Sequence, residues 1–411
     1  MFQRNIDNRW SFREANTKEY THCYHTYPAM MIPQVARTLI REYKPQGKCK
    51  LLFDPYMGSG TSLVEASLAN MNSVGTDLNP LARLIAKAKT TVYDVMELQN
   101  EFQEIQSHLF FFSFADIKDK NFERISNYRF WYSEESLLKL SYISQLIEEY
   151  SRNEDFFNVV LAEVVREVSF TRNGEFKRFR MKEDKIKTFH PDVFGMFEDK
   201  VRRNLSGLKD YKAVAGKTTV GIYDFNSSLC IPQAVIERES VDMVVTSPPY
   251  GDSRTTVAYG QFSRWANEWF SFDNAQNLDN LLMGGQKCGQ KFFLTETIDK
   301  ELQQIYDADI KRYYEVVSFL NDYWFSIQNV ANTVRRGGVV CYVVGNRNVK
   351  GVQISLDYFT AETFERCGLH HITTLVREIP NKRMPLKTSP TNVSGVKVDT
   401  MSNEYIVILE K

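Results

Sequence analysis

The stretch Phe53-Asp54-Pro55-Tyr56-Met57-Gly58-Ser59-Gly60-Thr61 joins a predicted strand to a predicted helix. Residues 49–53 have the apolar character of a buried strand, and residues 61–69 predict a helix capped by Ser59 or Thr61. Glycines at such a junction let the backbone approach a ligand, and the start of the helix offers unpaired N–H groups. The stretch therefore predicts a strand, a glycine loop and a helix with a ligand at the turn.

A second strand and helix follow directly along the chain. Residues 73–76 predict a strand that ends at Asp77, and residues 81–89 predict the next helix. Two such units in a row imply a parallel sheet. Further strands are predicted at 218–223, 241–246, 339–344, 371–377 and 404–409, with helices at 32–43 and 357–367. We expect an α/β, Rossmann-like fold: a mostly parallel, doubly wound sheet of about seven strands with helical insertions.

Two features modify this pattern. From about 91 to 215 the apolar residues follow a helical period, which predicts a helical insertion. Gly337 and Gly338 follow a long predicted helix and are expected to close it before the strand at 339–344.

Composition limits the class of protein. The 411 residues are 43% hydrophobic, enough to bury a sizeable core, while Lys plus Arg and Asp plus Glu each number 51. A nucleic-acid surface would therefore depend on local segregation of charge. The six cysteines form no close pair, which favours a reducing compartment and disfavours structural zinc. Without a signal-type amino terminus or a long apolar window, we expect a cytoplasmic protein that does not enter a membrane.

The glycine loop indicates a nucleoside cofactor without phosphates. Leu63 occupies the third glycine position of the dinucleotide fingerprint, and no Gly-Lys-Ser/Thr follows to make a phosphate loop. Asp77 comes nineteen residues after Gly58, where a carboxylate can accept both ribose hydroxyl hydrogens. This combination suggests S-adenosylmethionine, and the alternative is a purely structural turn.

A second candidate site is Ser247-Pro248-Pro249-Tyr250, which follows the apolar run 241–245. The prolines lack N–H donors and fix φ, so nearby carbonyls are freed from strand pairing and held in a rigid turn. A rigid cluster of acceptors beside an aromatic ring suits a planar amine. The alternative is an ordinary proline-rich strand exit.

Residues 53–61, 75–80 and 246–250 together resemble the site-specific DNA amino-methyltransferases, and the serine in the last segment is similar to their cytosine-N4 branch. Residues 25–30 resemble the block that this family places before its glycine loop, although Met30 stands where a basic residue is expected. The resemblance covers most of the chain except 91–215.

The resemblance implies methyl transfer from S-adenosylmethionine to the N4 amine of cytosine, by direct in-line attack on a base flipped out of the DNA duplex. It also implies a restriction-modification setting with a possible cognate restriction endonuclease. Adenine-N6 methylation, methylation of an RNA amino group and a non-catalytic nucleic-acid-binding subunit stay open as alternatives. Residues 1–90 and 216–411 would form the catalytic domain, 91–215 a target-recognition region, and 251–310 a smaller insertion near the target pocket.

The implied site residues fall into two groups. Ser247 and the Pro248 carbonyl would grip the amine, Pro249 would keep the turn rigid, and Tyr250 would stack on the target ring. The residues implied in cofactor binding are Tyr27, Pro28, Ala29, Asp54, Pro55, Gly58, Ser59, Gly60, Thr61, Asp77, Leu78, Asp224 and Phe225.

Candidate DNA contacts come from two basic stretches and from the segment after Tyr250. A basic, aromatic-containing stretch at 171–187 could bind phosphates and stack bases, or could be a solvated surface. The candidates are Arg172, Lys177, Arg178, Arg180, Arg254, Lys382 and Arg383. No metal site is predicted, because His370-His371 lacks a spaced carboxylate or cysteine partner.

Overall fold

The computed structural model describes residues 2–45, 50–118, 121–252, 256–379, 387–388, 398–399 and 403–411. Its strands are β1 (Arg4–Ile6), β2 (Leu51–Asp54), β3 (Asn72–Thr76), β4 (Val220–Tyr223), β5 (Val241–Thr246), β6 (Val334–Val344), β7 (Asn348–Val349), β8 (Val352–Gln353), β9 (His370–Glu378), β10 (Lys387–Thr388), β11 (Val398–Asp399) and β12 (Asn403–Glu410).

The helices surround the sheet and fill the insertions. They are α1 (Pro33–Tyr43), α2 (Thr61–Leu68), α3 (Pro80–Thr90), α4 (Val95–Phe110), α5 (Tyr128–Trp131), α6 (Glu134–Tyr150), α7 (Glu154–Glu167), α8 (Glu183–Ile186), α9 (Val193–Val214), α10 (Tyr259–Trp269), α11 (Leu278–Leu281), α12 (Asp299–Ala308), α13 (Ile310–Thr333) and α14 (Leu356–Arg366). Short 3₁₀ turns occur at Asn8–Ser11, Tyr20–Cys23, Phe114–Asp116 and Asn121–Arg124.

Eight strands form the main sheet, in the order β4-β3-β2-β5-β6-β12-β9-β1. The strands from β4 to β6 are parallel, whereas β12 runs antiparallel to both of its neighbours. Every residue of β5 is buried, as expected for a central strand with both faces covered. This arrangement confirms the predicted Rossmann-like, mostly parallel, doubly wound fold.

The eighth strand, β1, is not predicted from the sequence. It pairs in parallel with β9 through only three residues. Its Arg4 donates to the buried carboxylate of Asp357 at 2.7 and 2.8 Å, which fastens the strand to α14. A long-range ion pair of this kind leaves no local pattern in the sequence.

Two predicted helix ends are wrong. Helix α13 ends at Thr333 and β6 begins at the next residue, so Gly337 and Gly338 lie inside a strand. Gly337 has a φ of +70°, and the pairing of β5 with β6 shifts register beside it, so the glycines serve an irregular strand. At α2 the cap is Gly60, with a φ of +77°, and no side chain caps the helix.

The described residues between 91 and 215 contain helices α4 to α9, and they pack against the rest of the protein. Phe156 and Val164 of α7 belong to the same buried apolar cluster as Ile85 of α3 and Trp265 of α10. The helical segment therefore shares a core with the elements that follow β3 and β5.

Within the described ranges, none of the helices is both long and apolar enough to cross a membrane.

Candidate functional site

A cavity opens where β2, β3, β4 and β5 end, at the carboxyl edge of the parallel strands. This edge is where open α/β sheets bind ligands. Segments that directly follow these four strands line the cavity, together with residues 27–31. Residues predicted for the site that line it are Tyr27, Pro28, Ala29, Asp54, Pro55, Gly58, Ser59, Thr61, Asp77, Leu78, Phe225, Ser247 and Pro249.

The glycine loop between β2 and α2 is held by its own backbone and by the next strand. The Gly60 N–H donates to the Met57 carbonyl at 2.7 Å, and the Gly58 N–H donates to Asp77 Oδ2 at 3.1 Å. Both glycines have positive φ, which glycine adopts without strain. A β-carbon on Gly60 would lie 2.8 Å from the Ala86 β-carbon, so only glycine fits against α3.

Two carboxylates face this cavity from adjacent strands. Asp54 is buried and accepts from the Thr246 hydroxyl at 2.6 Å and from the Tyr56 N–H at 3.1 Å. Asp77 accepts from the Asn79 N–H at 2.7 Å as well as from Gly58. Burial raises the pKa of each carboxyl to about 6. The cavity can therefore hold negative charge near neutral pH and lose it under mildly acidic conditions.

A buried polar network connects the cavity to α10. The Asn79 amide donates to Tyr27 Oη at 2.8 Å and to Ser263 Oγ at 2.6 Å, and Asn267 donates to Asn79 Oδ1 at 3.3 Å. The Tyr27 ring stacks on Tyr259 with 6.0 Å between their centroids. The network ties residues 25–30, the segment after β3 and α10 into one wall.

The Ser247-Pro248-Pro249-Tyr250 turn directly follows β5 at the edge of this cavity. Ser247 and Pro249 line it, whereas Pro248 and Tyr250 lie outside the lining. The Tyr250 hydroxyl is 3.2 Å from Ser247 Oγ and donates to Glu404 Oε1 at 2.9 Å. Tyr250 therefore stands behind Ser247, with its hydroxyl engaged by β12.

Other predicted cofactor residues lie outside the lining, and several unpredicted residues belong to it. Gly60 supports the loop from behind, and Asp224 is exposed at the end of β4. The unpredicted lining residues are Met30, Met31, Tyr56, Met57, Ser62, Thr76, Asn79, Asn226, Ser227, Tyr259, Leu282 and Met283. Most of them are next to predicted residues in the sequence. The exceptions are Tyr259, Leu282 and Met283, which belong to the part of the chain between β5 and α12.

The basic stretch at 171–187 is engaged with neighbouring aromatic and acidic side chains. The Arg178 guanidinium lies 4.7 Å from the Trp265 ring centroid, and Arg180 lies 4.2 Å from that of Phe130 and pairs with Glu183. Burial lowers the pKa of Arg178 from its usual value. Arg172 is exposed and pairs with Glu175 at 3.3 Å.

The other candidates for DNA contact are divided between this stretch and undescribed segments. Lys177 is half-buried on the same stretch, whereas Arg254, Lys382 and Arg383 lie outside the described residues.

In the part of the chain that the structure describes, no group of three or more His, Cys, Asp or Glu side chains could hold a metal ion.

Comparisons with known proteins show a family model and full-length and partial relatives that this chain resembles. The N6/N4 methyltransferase family model, described as DNA methylase, matches residues 2–88. The chain is 36% identical over 433 residues to the Type II methyltransferase M.MvaI of Kocuria varians, covering 99% of this chain and 94% of that protein. It is 28% identical over 170 residues to the Type II methyltransferase M.MjaII of Methanocaldococcus jannaschii, covering 35% and 32%.

Among solved structures, the rRNA methyltransferase aviRa from Streptomyces viridochromogenes has a TM-score of 0.34 and 10% identity, covering 94% of this chain and 88% of that one.

Proposed function

Because the chain belongs to the N6/N4 family of DNA methylases, we propose that it transfers a methyl group from S-adenosylmethionine to the exocyclic N4 amine of cytosine in DNA. Family membership makes it a DNA methyltransferase and implies the methyl donor. The choice of cytosine and the flipping of the base are the parts that we add. The choice of cytosine rests on the resemblance of the Ser247 segment to the cytosine-N4 branch, and base flipping follows because a base inside a duplex cannot reach the site. The observation that supports a shared site for donor and amine is that Ser247 lines the same cavity as Gly58 and Asp77.

The residues of the cavity fit S-adenosylmethionine. The Asp77 carboxylate is available to accept from ribose hydroxyls, and the apolar side chains of Leu78 and Phe225 beside it suit an adenine ring. Asp54 supplies a second negative charge for a cationic ligand. When bound, the donor supplies an electrophilic methyl group on a positively charged sulfur.

The chain's contribution to transfer is positioning and hydrogen bonding. The amine of cytosine donates its lone pair to the ring, so it is a weak nucleophile until acceptors hold its hydrogens. Ser247 Oγ, which lines the cavity, is the first acceptor in this proposal. The Pro248 carbonyl, which lies outside the lining, is the second acceptor that the family resemblance implies, and the rigid turn aligns the nitrogen with the methyl group. A base inside a duplex cannot reach a cavity at the sheet edge, so the target must be flipped out.

Recognition of DNA is assigned to the helical segment at 91–215, with the segment 251–310 bordering the target pocket. Arg178 is half-buried against Trp265, and Arg180 is half-buried against Phe130 and pairs with Glu183. We therefore assign phosphate contacts there to Arg172, which is exposed, and to Lys177. A cognate restriction endonuclease is a proposed partner, because relatives of this chain are named Type II methyltransferases.

The identity of the methylated base tests the proposal. Purified protein is incubated with S-adenosylmethionine carrying a ¹³C-methyl group and with unmethylated genomic DNA, and the digested nucleosides are identified by mass spectrometry. We expect labelled N4-methylcytosine. Labelled N6-methyladenine would favour the adenine rival, and label in a parallel RNA sample alone would favour an RNA substrate. Absence of label together with absence of cofactor binding in calorimetry would favour a non-catalytic subunit.

Cofactor affinity should depend on pH. The carboxyls of Asp54 and Asp77 have pKa values raised to about 6, so they are charged above that pH and neutral below it. A ligand that donates hydrogens and carries positive charge needs the charged form. Affinity for S-adenosylmethionine should therefore fall about tenfold per carboxyl between pH 7 and pH 5.

Calorimetric titration at several pH values measures this effect. In Asp77→Asn the affinity should already be low at pH 7, and its dependence on pH should be weaker than in the wild type. An affinity that stays constant from pH 7 to pH 5 in the wild type would contradict the assignment of these carboxylates to the cofactor.

A further inference from the structure

A chain of hydrogen bonds runs from β9 to the Ser247 hydroxyl. Arg377 Nη1 donates to Glu404 Oε2 at 2.7 Å, and Tyr250 Oη donates to Glu404 Oε1 at 2.9 Å. Tyr250 Oη lies 3.2 Å from Ser247 Oγ. Arg377 and Glu404 are opposite each other in the pairing of β9 with β12, so the sheet itself fixes this arrangement.

Each member of the chain restricts the direction of the next hydrogen bond. A guanidinium can only donate, and a carboxylate can only accept. Tyr250 has one hydroxyl hydrogen, which it gives to Glu404. The contact between Tyr250 and Ser247 must then use the hydrogen of Ser247, which leaves the lone pairs of Ser247 Oγ available to another donor.

Burial supports this ordering. Arg377 is 3% exposed, so its charge is held by Glu404 with little help from water. Burial, and then the charge of Glu404, raise the pKa of Tyr250 well above its usual value, so the phenol keeps its hydrogen.

We infer that Glu404 and Arg377 are positioning residues that orient the Tyr250 and Ser247 hydroxyls, so that Ser247 meets the target amine as an acceptor. The inference rests on the proposed function, since it concerns the same amine. Tyr250 then has a second role, because its hydroxyl holds the hydrogen of Ser247 away from the target. Neither Glu404 nor Arg377 touches the substrate in this account.

Glu404→Gln tests the direction of the hydrogen bonds between Arg377 and Ser247, and it leaves the shape of the side chain almost unchanged. Arg377 would hold the amide oxygen of the glutamine, so the amide N–H would point at Tyr250. Tyr250 would then donate to Ser247, and the hydrogen of Ser247 would face the amine. We expect kcat to fall about 10- to 100-fold, with the affinity for S-adenosylmethionine within about twofold of the wild type. Glu410→Gln, at the exposed end of β12, is the matched control.

Tyr250→Phe separates this role from stacking. The variant keeps the ring and loses only the hydroxyl, so we expect a fall in kcat of about tenfold, whereas a role in stacking alone predicts none. Adding Glu404→Gln to Tyr250→Phe should cost less than about a further twofold, because the connection is already broken. A merely structural Glu404 would cost the same factor in both backgrounds.

The outcomes separate this inference from the proposed function. Production of N4-methylcytosine by the wild type, its loss in Ser247→Ala and full activity in Tyr250→Phe would overturn the inference alone. Equal losses from Glu404→Gln in the two backgrounds would overturn it as well. A wild type that methylates no cytosine would overturn the proposed function. Thermal melting of each variant identifies any that fails to fold. If Glu404→Gln fails to fold, the kcat of Tyr250→Phe tests the inference instead.

Discussion

Ser247→Ala is expected to lower the rate of methyl transfer about 100-fold, while the affinity for S-adenosylmethionine stays within about threefold. The substitution removes an acceptor for the target amine, and the carboxylates Asp54 and Asp77 remain in place. Because the amine becomes nucleophilic only when its hydrogens are held, the loss should appear in kcat. Single-turnover transfer of a labelled methyl group measures the rate, and calorimetry measures binding.

A matched control is available at the other end of the same strand. Ser240, just before β5, donates its hydroxyl to the Glu237 carbonyl at 2.8 Å and lies outside the cavity lining. Ser240→Ala should transfer methyl groups within about twofold of the wild type. If Ser247→Ala did the same, Ser247 would not be an acceptor for the amine.

Gly60→Ala is expected to destabilise the protein by about 2–5 kcal/mol and to weaken cofactor binding. Alanine at a φ of +77° is strained, at a cost of about 1–2 kcal/mol, and the new methyl group would lie 2.8 Å from the Ala86 β-carbon. Forcing a methyl group into a packed contact costs about 1–3 kcal/mol more. Relief of the contact would move the glycine loop or α3, and both support the cavity.

Gly351→Ala separates strain from contact. Gly351 has a φ of +85°, and a β-carbon there would meet nothing within 4 Å. This variant should lose only about 1–2 kcal/mol and should bind the cofactor normally. Urea unfolding gives both free energies. Equal costs for the two substitutions would mean that the contact between Gly60 and α3 does not limit the loop.

The clustering of the residues that we assign to the cofactor could be predicted from the sequence because its information is local. Gly58 and Asp77 follow consecutive parallel strands, and such strands bring their carboxyl ends to one edge of the sheet. The N–H of Gly58 does donate to Asp77, across a separation of only 19 residues.

The support behind Ser247 could not be predicted, because it depends on strand order. Glu404 lies 154 residues beyond Tyr250 and reaches it only because β12 is inserted between β6 and β9. The aromatic partner of Arg178 could not be predicted for the same reason, because Trp265 contacts it through the packing of α10 on the helical segment. Charge and spacing alone suggest a basic surface there, whereas side-chain contacts decide how much of it is available.

The two helix ends were predicted wrongly for a different reason. Two glycines after a long helix are typical of a helix cap, which is why Gly337 and Gly338 suggested one. Gly337 does have a positive φ, but this conformation belongs to an irregular pairing of β6 with β5. Sequence indicates that glycine is required at such positions and does not indicate which partner requires it.

The central claim is that the Ser247 turn holds the N4 amine of cytosine beside the methyl donor. The most direct test compares genomic DNA from a host without its own cytosine-N4 methylation, expressing either the wild type or Ser247→Ala at equal levels. Mass spectrometry of the nucleosides should detect N4-methylcytosine with the wild type and little or none with Ser247→Ala. N6-methyladenine as the product of the wild type, or N4-methylcytosine at equal levels from both proteins, would contradict the account.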